Sequence, residues 1–315
     1  MPAHLWRDGA FPCRERWLRR ILSPATNASI VVTVIVWIAT SPIRADSIKA
    51  PSGSVDTEHL FGFVEGADTG NKGEREVVID SSSRVGRSAG SFAITASEIE
   101  FKYTAFQNFR ISGAATLAYY DLAGVTGIED ARRAAIQSLS FDARFRVLDR
   151  AHAPFGVTLS VSPHWGLVDE TSGVRTDHFG SEIQLLADRE LKPDRVVGAA
   201  NLLFANDRAR LLASDGVERE SLLGAAAALA AQIMPGVWMG AEARYIRDYS
   251  GAALNVFSGQ ALYVGPTFNT RLGSGAFMSV ALDVQVWGSA AAASGALDLT
   301  NFERFQAKVR FGVEF

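Results

Sequence analysis

Five histidines and one cysteine set the scope for side-chain chemistry in this chain of 315 residues. His164 lies on a period-two stretch and shares its face with Ser160 and Ser162. Along one extended strand those hydroxyls sit roughly 13 Å and 7 Å from the imidazole, so neither reaches it. A working base would need a partner from a neighbouring strand within hydrogen-bond distance. His59, His152 and His178 fall in an N-terminal extension, a turn and a loop. Cys13 precedes the apolar run Ile30–Ala39. Metal-ligand spacing, a glycine-rich phosphate loop and a G-x-S-x-G elbow are all missing from the sequence. The expectation is a non-enzyme, with no catalytic residue, no metal and no cofactor.

A larger group of chemistry-bearing residues recurs at alternate positions. The acids are Glu98, Glu100, Asp142, Glu182, Asp188, Glu242, Asp283 and Glu314, and the bases are Lys102, Arg110, Arg144, Arg146, Arg244, Lys308 and Arg310. Signs are nearly balanced, which fits either a polar selective conduit or a lumen stapled by cross-strand ion pairs. Asp149-Arg150 and Asp188-Arg189-Glu190 read as ion pairs at strand ends.

The elements that carry these charges are strands. Phe305, Ala307, Val309, Phe311, Val313 and Phe315 alternate with Gln306, Lys308, Arg310, Gly312 and Glu314. The same alternation runs through Leu139–Val147, Phe155–Leu167, Ile99–Tyr103 and Met278–Val286. Eleven residues at ~3.3 Å, tilted about 40°, rise roughly 28 Å, which matches the ~25 Å apolar band of a membrane barrel. Tight turns read at Ala105–Asn108, Arg150–Pro154, Lys192–Asp194, Met234–Gly236 and Leu272–Gly275. Longer loops lie between them at Leu122–Ala135, Asp169–Thr176, Ala209–Val217, Ser250–Phe257 and Gly288–Thr300. The nearly uncharged segment Leu222–Ala241 centres on Pro235-Gly236, so it reads as two strands around a turn rather than a helix. Trp165, Trp238, Tyr245 and Trp287 are placed near strand ends, as an aromatic girdle.

The fold class is therefore all-β, a transmembrane antiparallel β-barrel of about twelve strands, with ten or fourteen as alternatives and an even number required for closure. The first strand is expected at Glu74–Arg84, paired with the last at Phe305–Phe315. Residues 74–315 form the barrel, and 46–73 an extension or plug. Arg7, Arg14, Arg16, Arg19 and Arg20 precede the short apolar run, so residues 1–45 read as a cleaved signal peptide ending at Ala45. Removing them takes six arginines and two acids from 31 basic and 34 acidic residues and leaves a net charge of −7, which argues against nucleic acid as a partner.

Several stretches also carry a resemblance. Glu58-His59-Leu60-Phe61-Gly62-Phe63, Leu186-Ala187-Asp188-Arg189-Glu190-Leu191, Gly240-Ala241-Glu242-Ala243-Arg244-Tyr245 and the tail Asn301–Phe315 resemble uncharacterised Gram-negative outer-membrane barrel proteins. These are loosely similar to the family named for the meta-pathway of phenol degradation. The resemblance implies an outer-membrane location and a conduit or receptor for small, apolar or aromatic molecules. Alternatives are a structural barrel with a charge-plugged lumen and, more distantly, a lipid-modifying enzyme built on His164. Expected partners are outer-membrane lipids and lipopolysaccharide, periplasmic chaperones, and barrel-assembly machinery that reads Phe311, Val313 and Phe315. Both termini would be periplasmic.

Overall fold

In the computed structural model, which describes residues 55–212, 216–273 and 275–315, the alternating segments form twelve strands. They are β1 (Arg75–Val85), β2 (Ser91–Phe106), β3 (Phe109–Ala123), β4 (Ala131–Leu148), β5 (Gly156–Val168), β6 (Arg175–Lys192), β7 (Val196–Leu211), β8 (Val217–Met234), β9 (Val237–Ser250), β10 (Val256–Leu272), β11 (Ala276–Ala290) and β12 (Phe305–Glu314). The expected leader, residues 1–45, lies outside the described residues.

Each strand pairs antiparallel with its chain neighbours, and the sheet closes on itself. The closing ladder runs from Glu76↔Glu314 to Val85↔Phe305, so β12 pairs with the first strand as the alternation required. Connections of two or three residues gather at one rim, at 107–108, 193–195, 235–236 and 273–275, together with the longer 149–155. The other rim carries connections of five to seven residues and the longest of all, 291–304.

Polarity is inverted relative to a water-soluble domain. Ile99, Leu139, Phe145 and Leu282 are each more than half exposed on the outer face, while Lys102, Arg110, Glu242 and Asp283 are buried inside. An apolar exterior of this extent requires apolar surroundings, and a closed ladder satisfies the backbone without water.

Leu222–Ala241 is β8, the Pro235-Gly236 turn and the start of β9. Gly236 adopts a φ of 73° there, a left-handed turn conformation that glycine accepts without strain. The alanines of β8 have a packing role. Ala226, Ala228 and Ala230 face inward and leave room for Leu60, Phe61 and Val64.

Among the histidines and tryptophans, two placements differ from the sequence reading. His178 belongs to β6 and not to a loop. The polar strand ends project past the apolar band, where neither face is apolar, so alternation cannot report them although the ladder continues. Trp238 is 5% exposed and packs inward against the 55–64 stretch, so it is not part of an outer girdle. Its ring fills space beside the small inner alanines. Trp165 and Trp287 do point outward.

Leu282 sits near the middle of β11 on the apolar face. Leu282→Arg is expected to lower the unfolding free energy of the protein in lipid vesicles by about 2–4 kcal/mol, measured by denaturant titration. An equal cost in detergent and vesicles for Leu282→Arg and Leu282→Ala would show that the face does not meet lipid.

Candidate functional site

The interior of the barrel holds the candidate site, and its lower half, toward the short-turn rim, is occupied by the chain itself. Residues 55–73 run inside the wall with irregular backbone. Backbone groups without a ladder must find other partners, and here inward side chains supply them. Glu242 accepts from the amides of Phe63 and Val64 at 3.0–3.1 Å. Asn201 accepts from the Glu65 amide at 2.8 Å and donates to the Glu65 carbonyl at 2.9 Å. Asp188 accepts from the Ala67 amide at 2.7 Å and from the Thr57 hydroxyl. Asn269 donates to the His59 carbonyl, and Thr104 to the Thr69 carbonyl. Phe61 and Val64 are fully buried against Val197, Ala199, Ala228, Ala230 and Trp238.

Charge holds the same segment. Glu58 pairs with Arg110 and with Lys102, the latter at 2.8 Å, and all three side chains are nearly inaccessible. Glu65 lies 2.5 Å from Arg144 and 3.5 Å from Arg310. Asp68 pairs with Arg150 at 2.5 Å and Arg146 at 3.4 Å. His59 lies 2.8 Å from Glu76 and stacks on Phe277 with ring centroids 4.1 Å apart. Arg244 covers the Phe63 ring at 3.7 Å.

Burial pushes the Glu58 carboxyl up, but Arg110, Lys102 and His59 outweigh it and hold it well below the usual carboxylate range. Glu65 is lowered likewise, burial being overcome by Arg144 and then Arg310. Burial disfavours His59 as a cation, yet Glu76 and Glu58 prevail and raise its value. Removing one partner from such a buried set leaves charge uncompensated, at a cost of about 3–5 kcal/mol.

Above this segment the lumen keeps open space. A cavity of about 450 Å³ is lined by charges that include Glu98, Glu100, Glu182, Lys308 and Arg310. A second, of about 310 Å³, opens toward the long-loop rim beside Arg87, Asp248 and Glu220. Arg84 and Glu170 line both. Arg84 donates to the Glu170 carbonyl at 2.5 Å, a bridge where the two cavities meet. The connection 291–304 folds back into this mouth. Phe302 packs on Ala261 and Tyr263, and the Tyr263 hydroxyl donates to the Glu303 carbonyl at 2.7 Å. Glu303 pairs with Arg87 at 2.6 Å. Burial raises its carboxyl, but Arg84 and Arg87 win and leave it lowered.

The charges picked out from the sequence thus divide by task. Lys102, Arg110, Arg144, Arg146, Asp188, Glu242 and Arg310 touch the 55–73 segment. Arg244 joins Asp283 at 2.9 Å, and Lys308 joins Asp80 at 3.0 Å. Asp142 accepts from Arg144, Ser160 and Ser162. Glu98, Glu100 and Glu182 line the larger cavity. Phe311 and Val313 lie on the outer face of β12, and Phe315 directly follows that strand, exposed. Asp188 and Arg150 do not form a simple rim pair. They meet at 2.8 Å around Thr57 and Asp68.

Other functional residues escaped the sequence reading. Glu58, Glu65 and Asp68 complete the lumen cations from a segment with no periodicity to mark its facing. Asp207 is a further one, and the signal for it is that Asn201, Ala205 and Asp207 share one face of β7. It meets His164 at 3.0 Å and His178 at 2.8 Å.

The expectation of a non-enzyme is corrected on one of its grounds: along its own strand His164 has no partner in reach, but across the sheet Asp207 of β7 lies 3.0 Å from it. The solved barrels similar to this chain also include OmpT, an outer membrane protein of Vibrio cholerae. It is 8% identical, with 86% of this chain and 99% of that one covered and a TM-score of 0.35. A likeness of that strength assigns no activity.

The fold is that of outer-membrane barrels. The chain is similar to the COG4313 outer membrane channel from Pseudomonas putida F1, at 11% identity over 83% of this chain and all of that one, with a TM-score of 0.55. It is also similar to the beta domain of the Bordetella autotransporter BrkA, at 13% identity over 78% of this chain and all of that one, with a TM-score of 0.50. No curated protein matches it. The model of a family of unknown function, DUF6662, matches residues 53–315, a range that includes every described residue, and the protein belongs to that family.

Proposed function

We propose that this protein is an outer-membrane conduit for small polar solutes, closed from the periplasmic side by its own residues 46–73 acting as a plug. The observation that carries this reading is the division of the lumen. Open, charge-lined cavities occupy the long-loop half, and 55–73 fills the other half mainly on bonds to inward side chains, with one wall backbone group, the Thr104 carbonyl, accepting from the Gly73 amide at 2.8 Å where the segment runs into β1. A segment held by side chains, and not built into the ladder, can leave without unfolding the barrel. That the similar Pseudomonas putida barrel is a channel supports the same direction.

In this reading residues 1–45 are removed on export, both termini and the short turns are periplasmic, and the long loops face outward among lipopolysaccharide. Barrel-assembly machinery would read the end of β12 at Phe311, Val313 and the following Phe315. Walls carrying Glu98, Glu100, Glu182 and Lys308 favour polar solutes. The apolar or aromatic class implied by the phenol-pathway resemblance would desolvate these charges with no partner in exchange. A structural barrel with a permanent plug is the second reading, supported by the number of buried ion pairs holding 55–73.

Planar-bilayer conductance separates them. Protein starting at Asp46 is expected to give rare, small steps, and protein trimmed of 46–73 regular, larger ones. Silence of a correctly folded, heat-modifiable trimmed barrel would favour the structural reading. An epitope inserted among residues 291–295 is expected to bind antibody on intact cells. Labelling only after permeabilisation would reverse the orientation.

Closure should also depend on pH. Glu58 and Glu65 have lowered values when docked, so their contribution is in place above the free value of about 4.3 and is lost as pH falls through the lowered one. His59 is raised, so its contribution is complete below about 6.5 and is lost as pH rises through its raised value. Leak should be smallest between these limits. Acid should open the barrel more than alkali, because the two glutamates hold four cations and His59 holds one pairing set. A flat conductance profile in the full-length protein, with Glu58→Gln equally flat, would contradict plug docking by charge.

A further inference from the structure

We propose that His164, His178 and Asp207 form a binding site for a divalent transition-metal ion such as zinc on the lumen wall. The three come from β5, β6 and β7 and lie in the half of the barrel that the 55–73 segment leaves open. The inference does not require that the barrel conducts.

Register explains why they converge. His164 pairs across to Gly180, and Gly180 pairs across to Asp207, so the first and third residues face each other over a glycine. His178 stands two residues earlier along β6, opposite Gly166. Both glycines are needed for room. A Cβ at Gly180 would collide with Asp207 Oδ1 and His164 Nε2, and one at Gly166 would meet His178 Nδ1 at 2.6 Å. With those side chains absent, the imidazoles lie over the neighbouring strand with their rings edge to face, centroids 5.3 Å apart.

The donor atoms suit a metal. His164 Nε2 and His178 Nε2 lie 3.0 and 2.8 Å from the same oxygen, Asp207 Oδ1, and all three ligand atoms fall within 4.8 Å of one another. Around a tetrahedral ion bonded at about 2.0–2.1 Å, ligand atoms stand roughly 3.3 Å apart. The two histidine–Asp207 spacings therefore need to open by only a few tenths of an ångström to seat the ion, and the two imidazole nitrogens already lie within 4.8 Å of each other. Two neutral imidazoles and one carboxylate form a three-ligand set that leaves a fourth position for water or solute. That position has space, since His178 and Asp207 border the cavity at the mouth and His164 borders the one beneath it.

A second cluster shows by contrast what an unsuitable site looks like. Glu58, His59 and Glu76 are also close enough to share an ion. There Lys102 Nζ already lies 2.8 Å from Glu58 and 3.5 Å from Glu76, and Arg110 completes the pairing. A protein cation fills that place. At Asp207 the ion pairs come from the two histidines, groups that can give up a proton and bind metal in its stead.

The test uses the full chain folded in detergent and Co²⁺ as a spectroscopic probe, with Zn²⁺ in competition. One equivalent of Co²⁺ should bind with intense visible absorption of a low-coordinate N/O site, and Zn²⁺ should displace it. Asp207→Asn keeps the hydrogen-bonding oxygen and His178→Gln a polar side chain. Each should weaken binding by more than ~10-fold. Gly180→Ala removes no ligand but should weaken binding as much, while His152→Ala, at an exposed histidine, should change nothing. Heat-modifiable migration of each variant verifies folding. The proposal is overturned if wild-type protein gives no saturable Co²⁺ signal. It is equally overturned if folded Asp207→Asn and His178→Gln bind as tightly as wild type, which would leave the triad a hydrogen-bonded cluster.

Discussion

The ladder between β1 and β12 is the constraint on which the remaining structure depends. A sheet in apolar surroundings cannot leave an edge, because each unpaired N–H or C=O would cost several kcal/mol with no water to meet it. Closing Val85–Glu76 onto Phe305–Glu314 removes the edge and fixes strand number, inward and outward faces, and the existence of a lumen. The charges of that lumen are a consequence of closure, since alternate residues must point inward.

Closure creates a second problem, a narrow interior lined by acids and bases. Two solutions coexist in this protein. Wall charges pair with each other, as Arg244 does with Asp283 and Lys308 with Asp80. Others pair with a segment that is not part of the wall, as Arg110 does with Glu58 and Arg144 with Glu65. The second solution couples the electrostatics of the barrel to whether 55–73 is in place. Small residues make this possible, because the inner alanines of β8 give Phe61 and Val64 a place that larger side chains would fill. The open half is governed by glycine in the same way, with Gly166 and Gly180 giving His178, His164 and Asp207 room to meet.

The wall was readable from alternation because lipid imposes one chemistry on every second residue. Leu139, Phe141 and Phe145 could hardly mean anything else once set against Asp142, Arg144 and Arg146. Glu74–Arg84 and Phe305–Phe315 could be matched as closing partners from the need for an even number. Where that pressure stops, alternation no longer marks the strand or its faces. The end of β6 that carries His178 stands among polar residues and passed for a loop. Trp238 was assigned to the girdle because its distance from the turn fitted, but the side of the strand on which it falls sends it inward.

What sequence settles in this family member is the barrel, its faces and its approximate register, since these follow from local period and from a uniform lipid environment. The contents of the barrel are a matter of tertiary structure. Glu58 meets Arg110 across a separation of 52 positions, and His164 meets Asp207 across 43. No periodicity encodes such meetings. They depend on curvature, on the size of the residues between, and on the path of an irregular segment whose backbone partners are side chains on five or more different strands.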